Sequence, residues 1–338
     1  MSFLPPLSVL DLAPIPEGGD AATALARSVA LARQAEACGY QRYWLAEHHN
    51  MDGVACSATA VLVGHVAGAT QRIRVGSGGV MLPNHAPLTV AEAFGTLATL
   101  YPGRIDLGLG RAPGTDMATA RALRRHMAGA GEDDFAQEVQ ELMHYLEPAQ
   151  AGQQVRAIPG QGTRIPVWIL GSSLYGAQLA AYLGLPYAFA SHFAPDLLLQ
   201  ALDIYRRSFR PSARWPKPHA MVAVNAVAAD SDDEAAFLAT SLQQRFLAMQ
   251  RGVRGPLPRP VDPADFARMG SAQEHAGAAR MYACSAVGAP DTLRAQLREI
   301  VDRTQADELI IAGAIHDDAA RLKSCALVAE VAGAVASA

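Results

Sequence analysis

An acidic residue and two histidines stand side by side at positions 47 to 49, in the string Trp44–His49 (WLAEHH). An apolar run typical of a buried strand precedes them, so these side chains come where a strand ends. Neighbouring residues of an extended segment point to opposite sides, which makes His48 and His49 poor joint ligands for one metal ion. The chain also has no H-x-H pair, and we expect no metal site. Each histidine is equally explained as a structural residue, but their place beside Glu47 favours one of them as an acid or base.

Glycine, hydroxyl and arginine residues follow other apolar runs. Gly171, Ser172 and Ser173 stand between a predicted strand and a predicted helix. Backbone N–H groups at a helix start, together with two hydroxyls, would bind a phosphate. Arg111 and Arg121 would add charge-assisted hydrogen bonds. Serine also caps helices at such points without binding any ligand, so the phosphate site is a hypothesis.

Two further groups occupy comparable positions. Gly78 and Gly79 follow a third apolar run, and Ser191 and His192 follow a later one. Paired glycines let the backbone approach a flat ligand closely, although they also form ordinary tight turns.

Eight short apolar runs alternate with helical patterns and would carry these residues. Near-continuous apolar strands are typical of a parallel sheet that is buried on both faces. Eight of them predict a (β/α)8 TIM barrel, in which the carboxyl ends of the strands meet at one mouth. An open doubly wound sheet would have G-x-G-x-x-G after its first strand, whereas this chain has Ala13–Pro16 (APIP). The predicted strands are Leu7–Leu12, Arg42–Ala46, Ile73–Gly79, Arg104–Leu109, Pro166–Leu170, Tyr187–Ser191, Met221–Val227 and Leu309–Ala312.

One long insertion interrupts the alternation. About eighty residues separate the seventh and eighth predicted strands, which is too many for an ordinary connection. Within them, Gly252–Pro263 (GVRGPLPRPVDP) is rich in glycine, proline and arginine. We expect a mobile excursion over the barrel mouth; a disordered insertion without a role is the alternative.

The composition limits the function classes. The chain has 338 residues, of which 50% are hydrophobic and 18% charged, so we expect one domain over residues 1–338 with a large core. A net charge of -4 gives no electrostatic case for nucleic acid, and no apolar run approaches the roughly 20 residues that span a membrane. Four cysteines without zinc-site spacing, and an N-terminus unlike a signal peptide, predict a cytoplasmic protein with reduced thiols.

Five strings together resemble a known family. They are Trp44–His49 (WLAEHH), Val75–Pro83 (VGSGGVMLP), Pro102–Gly114 (PGRIDLGLGRAPG), Gly114–Leu123 (GTDMATARAL) and Pro166–Pro186 (PVWILGSSLYGAQLAAYLGLP). From about residue 7 to 335 the chain resembles the bacterial-luciferase-like, flavin-dependent monooxygenases. It looks closest to single-component homologues related to the alkanal monooxygenase alpha chain.

The resemblance implies a barrel that binds FMN at the carboxyl ends of its strands. By that likeness His48 matches the catalytic histidine, and Gly78-Gly79 matches a non-prolyl cis peptide beneath the isoalloxazine. Residues 241–285 match a mobile lid. The matching flavin contacts are Arg111 and Arg121 around the phosphate and ribityl chain, and Leu170, Ser172 and Ser173 on the fifth strand.

Three departures from the luciferase pattern put light emission in doubt. Gly110 stands where the luciferase has a reactive cysteine, Ser172 where it has a glutamate, and Gly176 where it has a threonine. FMN binding remains the expectation.

The resemblance therefore predicts an FMN-dependent monooxygenase. Reduced FMN would come from a separate flavin reductase, since the chain has no NAD(P)H-binding fingerprint, and dioxygen would oxidise a small organic substrate with an apolar part. The alternatives are a deazaflavin-dependent dehydrogenase, a non-catalytic flavin-binding protein, and a barrel kept for complex assembly. Ala58–Thr70 and Thr89–Leu100 predict a homodimer, although these helices could equally pack only within the chain.

Overall fold

The fold is a closed barrel of parallel strands, seen in a computed structural model that describes residues 4–112, 116–123 and 134–333. Eight strands pair in the circular order β1, β2, β3, β4, β5, β6, β7, β9, and β9 returns to β1. The predicted (β/α)8 barrel is thus confirmed. The strands are β1 Leu7–Asp11, β2 Arg42–Leu45, β3 Arg74–Met81, β4 Ile105–Gly110, β5 Val167–Gly171, β6 Tyr187–Phe189, β7 Ala220–Ala228, β8 Ser285–Gly288 and β9 Glu308–Ala312.

Helices follow the strands and cover the outside of the barrel. In the described ranges, no helix is both long and apolar enough to cross a membrane. The helices are α1 Ala21–Ala37, α2 Thr59–Ala69, α3 Pro87–Leu100, α4 Met117–Leu123, α5 Phe135–Leu146, α6 Leu174–Leu183, α7 Leu198–Ser208, α8 Asp232–Gln250, α9 Pro263–Ala267, α10 Ala272–Met281, α11 Pro290–Thr304 and α12 Asp318–Ala332.

The core explains why the strands read as continuous apolar runs. All nine residues of β7 are buried, because one face of the strand packs into the barrel and the other against helices. Trp44 and Trp168 meet edge to face, with ring centroids 5.1 Å apart, and both are fully buried. The barrel interior is therefore filled with side chains, and a ligand can bind only at the mouth.

Buried charges at the opposite end of the barrel are paired with one another. The Nε atom of Arg42 lies 2.9 Å from Glu308, and its Nη1 atom lies 2.9 Å from Asp106. Arg74 also donates to Asp106 at 2.5 Å. These residues sit at the amino ends of their strands, where such groups serve stability. The network therefore lies at the end of the barrel away from the mouth.

The insertion after β7 contains regular structure that the sequence analysis did not predict. Residues 241–285 hold the second half of α8, an extended stretch at 251–262, α9 and α10. The strand β8 was not predicted, and the predicted eighth strand is β9. β8 has only four residues and pairs only with Asn225–Ala228 of β7, beyond the part that pairs with β6. A strand this short, with the sequence SAVG, carries no periodic signal.

The stretch at 251–262 lies against the mouth of the barrel. The backbone N–H of Leu257 donates to the carbonyl of Ile15 at 2.7 Å, and that of Glu17 donates back to Leu257 at 2.8 Å. Ile15 in turn donates to the carbonyl of Gly53 at 3.0 Å. The stretch therefore joins the loops that follow β1 and β2. Its position fits a lid; its mobility stays a prediction.

The sequence over 118–146 predicts helical structure, and the described parts of that stretch are α4 and α5. Residues 124–133 of that stretch, and Gly114 of the fourth strand end, lie outside the described residues.

Candidate active site

His48 lies at the barrel mouth, three residues beyond the end of β2. Its backbone N–H donates to the carbonyl of Cys56 at 3.0 Å, and its Nδ1 atom lies 3.7 Å from the Cys56 sulfur. Both contacts join the start and the end of the loop between β2 and α2. That loop therefore fixes where the imidazole stands, although the hydrogen-bonding role of each ring nitrogen depends on the tautomer.

The surroundings of His48 keep it uncharged. Burial lowers its pKa to about 4, and the positive charge of Arg245 adds to this, while the negative charge of Glu47 opposes it. Burial also raises the pKa of the Cys56 thiol to about 12. Near neutral pH both groups are neutral, so His48 offers one hydrogen-bond donor and one acceptor rather than an imidazolium.

Glu47 and His49 belong to a second cluster, which His85 completes. The Oε1 atom of the buried Glu47 lies 3.0 Å from Nε2 of His49 and 2.8 Å from Nε2 of His85. Burial works to raise the pKa of Glu47, and its hydrogen bonds with His85 and His49 outweigh this and lower it. The cluster ties the loop after β2 to the turn after β3. His49 thus points away from His48, as adjacent residues do in an extended chain.

The same cluster has the chemistry of a metal site. The three ligand atoms lie within 4.8 Å of one another, and two imidazoles with one carboxylate form a donor set that zinc accepts. The expectation of no metal rested on His48 and His49, and it overlooked His85, which comes 38 residues after Glu47. The carboxylate of Glu47 already forms hydrogen bonds with two imidazoles. These contacts explain the cluster as a structural link between two loops, without a metal ion.

A cradle without side chains lies on the neighbouring strand β3. The peptide bond between Gly78 and Gly79 is cis, as the family resemblance implied. A Cβ atom on Gly78 would stand 2.7 Å from Cδ1 of Leu10, and one on Gly79 would stand 2.8 Å from the carbonyl oxygen of Gly108. A side chain at either position would displace atoms packed against β3, so glycine lets the neighbouring strands approach closely here.

Groups suited to an anion gather after β4 and β5. The guanidinium of Arg111 lies 4.4 Å from the ring centroid of Tyr175, in the first turn of α6. Ser173 is the N-cap residue of α6, yet its side chain makes no capping bond. Ser172 and Ser173 are half-buried, as is Leu170 at the end of β5. Arg111 and the free N–H groups of α6 therefore stand together, as the sequence predicted.

Arg121 is the predicted site residue that the contacts do not connect with the others. It is exposed near the end of α4, and in the described part of the chain it makes no hydrogen bond or ion pair. α4 itself is tied to the loop after β2, because Asn50 donates to Thr119 at 2.9 Å. The helix thus lies near the mouth, and a contact of Arg121 with a ligand remains a prediction.

Two further residues complete the mouth. His192 follows β6, on the side of the barrel opposite β2, and its pKa is lowered to about 4 by burial and by the charge of His48. The positive charge of Arg245, on α8, acts on His48 as well. Sequence analysis noted His192 at a strand end, but it missed Arg245, Cys56 and His85. Arg245 lies in the insertion, for which the sequence predicted a mobile excursion and no particular site residue.

Comparisons with known proteins agree on one family. A family model described as luciferase-like monooxygenase matches residues 6–308. A protein of Escherichia coli (strain K12) named luciferase-like monooxygenase is 55% identical over 324 residues, 96% of this chain and 96% of that protein. An N-acetyl-S-alkylcysteine monooxygenase of Bacillus subtilis (strain 168) is 41% identical over 188 residues, 54% of this chain and 56% of that protein. The crystal structure of apo-MsnO8 superposes with a TM-score of 0.85 at 36% identity, covering 97% of this chain and 98% of that one.

Proposed function

Because this chain belongs to the luciferase-like monooxygenase family, we propose that it binds reduced FMN across the barrel mouth and uses dioxygen to oxidise a small organic substrate. The single observation that carries the proposal is one shared mouth. There the Gly78-Gly79 cradle lies between His48, after β2, and Arg111 with the start of α6, after β4 and β5. Neighbouring strands put these three features in the order that a flat ring with a phosphate tail requires.

The residues fit such a cofactor. The Gly78-Gly79 peptide carries no side chain, so its backbone suits close contact with an aromatic ring. The uncapped Ser173 hydroxyl and Arg111, which pairs with no carboxylate in the described ranges, suit the phosphate. We propose Leu170, Ser172 and Arg121 as further contacts along the ribityl chain and phosphate.

A bound reduced flavin would supply the electrons that activate dioxygen. The protein supplies position, exclusion of water and hydrogen bonds. His48 is neutral near pH 7, so it can donate a hydrogen bond to the reacting oxygen or accept a proton from the substrate. The stretch at 251–262 covers one side of the mouth and would keep water out.

Several finer points complete the proposal. We propose FMN rather than a deazaflavin, a separate reductase as the source of the reduced flavin, and a substrate with an apolar part. All four cysteines lie in the described ranges as free thiols, in keeping with the expected cytoplasmic location.

Anaerobic titration with reduced FMN tests the proposal. We expect a saturable change in the flavin spectrum, and binding about tenfold to a hundredfold weaker in Arg111→Gln, because a charge-assisted bond contributes about 1.5–3 kcal/mol. The matched control is Arg207→Gln, which removes an exposed arginine on α7 and should leave binding unchanged. His48→Asn should still bind reduced flavin but alter its reoxidation by dioxygen.

Each other outcome contradicts part of the proposal. No spectral change with reduced FMN would refute the cofactor assignment, and a change only with a reduced deazaflavin would favour the dehydrogenase. Flavin binding with the same reoxidation rate in His48→Asn would indicate a protein that holds flavin without His48 taking part in chemistry.

A further inference from the structure

Arg245 is a charged side chain without a partner. It sits on α8, half-buried, and within the described ranges its guanidinium makes no hydrogen bond or ion pair. Its burial lowers its pKa, since no carboxylate compensates for the lost water. Every other buried or half-buried arginine in these ranges donates to a carboxylate or a carbonyl oxygen; they are Arg27, Arg42, Arg74, Arg104, Arg206, Arg294 and Arg321.

The groups around Arg245 do not neutralise it. Its positive charge acts on His48 and Cys56, and both are uncharged near neutral pH. The one acid that acts on His48, Glu47, is already bonded to two imidazoles. Arg254, in the lid stretch, adds a second positive charge near His48. A buried cation without a counterion is costly unless a ligand supplies one.

A further polar atom at the mouth also lacks a partner. The Nδ1 atom of His192 is buried and makes no hydrogen bond in the described part of the chain. His192 comes from β6, across the mouth from His48, and its backbone carbonyl is fixed by Asn225 Nδ2 at 2.6 Å. Unpartnered buried polar atoms call for an explanation, and a ligand that bonds to them is one.

We propose that Arg245 binds a carboxylate of the substrate beside His48, with His192 as a neighbouring hydrogen-bond donor. This inference rests on the proposed function, and it narrows the substrate to organic carboxylates. A planar guanidinium matches the two oxygens of a carboxylate.

The flavin phosphate is the other anion that could occupy this place. It has its own donors in Arg111 and Ser173, after β4 and β5. Arg245 instead acts on a residue of the β2 loop. An experiment must still separate the two anions.

Calorimetric titration with hexanoate and with hexanamide, on protein saturated with oxidised FMN, tests the proposal. The two probes have the same apolar chain and differ in charge. We expect wild type to bind hexanoate at least about tenfold more tightly than hexanamide, and Arg245→Met to lose that preference. Arg259→Met is the matched control, because Arg259 is an exposed arginine of the lid stretch that follows α8; it should retain the preference.

Two further measurements keep the result interpretable. Arg245→Met should unfold at the same or a higher urea concentration than wild type, since it removes an unpaired buried charge. Its affinity for reduced FMN should equal that of wild type. The same titrations on FMN-free protein test the carboxylate site even if the flavin proposal fails.

Four outcomes would overturn the inference. They are equal affinity of wild type for both probes, a preserved preference in Arg245→Met, loss of the preference in Arg259→Met, and loss of hexanoate binding once FMN is present. The last would assign Arg245 to the flavin phosphate.

Discussion

Two histidines that approach each other across the barrel mouth show how burial selects a charge state. Both His48 and His192 have their pKa lowered to about 4, chiefly because burial penalises the charged ring. Arg245 reinforces the effect on His48, and His48 reinforces it on His192. A neutral, positively biased mouth suits a reaction that begins with an anionic or electron-rich reactant, because such a reactant replaces the missing counterion.

Lowered histidine pKa values predict acid sensitivity. A histidine whose pKa falls from about 6.5 to about 4 on folding binds fewer protons in the folded than in the unfolded chain. Its contribution to stability is therefore complete above pH 6.5 and is lost as the pH falls toward 4. We expect the free energy of unfolding to fall by up to about 1.4 kcal/mol per pH unit for each histidine between pH 6.5 and 5.

Urea denaturation across that window measures the effect. His192→Gln should reduce the slope by up to about 1.4 kcal/mol per pH unit, and the double variant with His48→Gln should reduce it further. A slope in His192→Gln equal to that of wild type would mean that His192 is not the acid-sensitive group.

At this scale, sequence order decided which residues could be predicted. His48, Arg111 and Ser173 come shortly after an apolar strand, and Gly78 and Gly79 lie in the second half of one, so the barrel rule places them at the mouth. The partners that tune them come from elsewhere. Arg245 reaches the mouth from α8, and His85 meets Glu47 from the turn after β3. Neither contact leaves a periodic or local trace in the sequence.

At the scale of elements, hydrogen bonds at both ends hold the lid stretch at 251–262. Leu257 is fully buried, and its backbone pairs with Ile15 and Glu17. On the other side, the N–H of Val261 donates to Thr240 of α8 at 2.9 Å. Leu257 is the buried side chain of this stretch, and we expect the stretch to open without unfolding the barrel.

Leu257→Ala should loosen this cover. Removing a buried leucine side chain costs about 2–5 kcal/mol where the site cannot collapse, and here the loss acts on the closed state of the stretch. We expect trypsin cleavage after Arg254 under native conditions to accelerate at least about tenfold, since a factor of ten corresponds to about 1.4 kcal/mol.

Val253→Ala is the matched control, because Val253 is 56% exposed and lies in the same stretch. Its cleavage rate should equal that of wild type. If Leu257→Ala is cut no faster than wild type, Leu257 is not the residue that holds the cover.

The insertion is also where prediction of elements failed. Apolar runs flanked by turns located all eight barrel strands, because parallel strands are buried on both faces. β8 was not predicted, because it pairs only with the end of β7 and two of its four residues are half-buried. The helices α9 and α10 were not predicted, because proline and arginine dominate the sequence before them. Tertiary contacts, rather than composition, stabilise these two helices.

For the whole molecule, closure of the barrel brings the ends of the chain together. β1 pairs with β9, and Arg321 of α12 donates to the buried Asp11 at the end of β1 at 2.7 Å. Burial works to raise the pKa of Asp11, and the charge of Arg321 with several hydrogen bonds outweighs this and lowers it. The mouth is therefore built on a closed frame, and association with a second copy would use the outer helices.

Those outer helices carry the final prediction. Val61 on α2 is 70% exposed and Leu100 on α3 is 63% exposed, although both helices pack on the barrel. Apolar side chains this exposed lose contact with water when a second copy covers them. We expect a homodimer in sedimentation velocity, and a monomer for Val61→Glu, because burying a carboxylate in an apolar contact is costly.

Leu199→Glu distinguishes this surface from apolar exposure in general. Leu199 is 46% exposed and lies on α7, which packs against α6 and α11, so this variant should remain dimeric. A monomeric wild type would contradict the dimer, and a Val61→Glu variant that stays dimeric would move the interface to another face. Because α2 and α3 follow the strands that carry His48 and the Gly78-Gly79 cradle, a change in flavin affinity on dissociation would show that the interface supports the site.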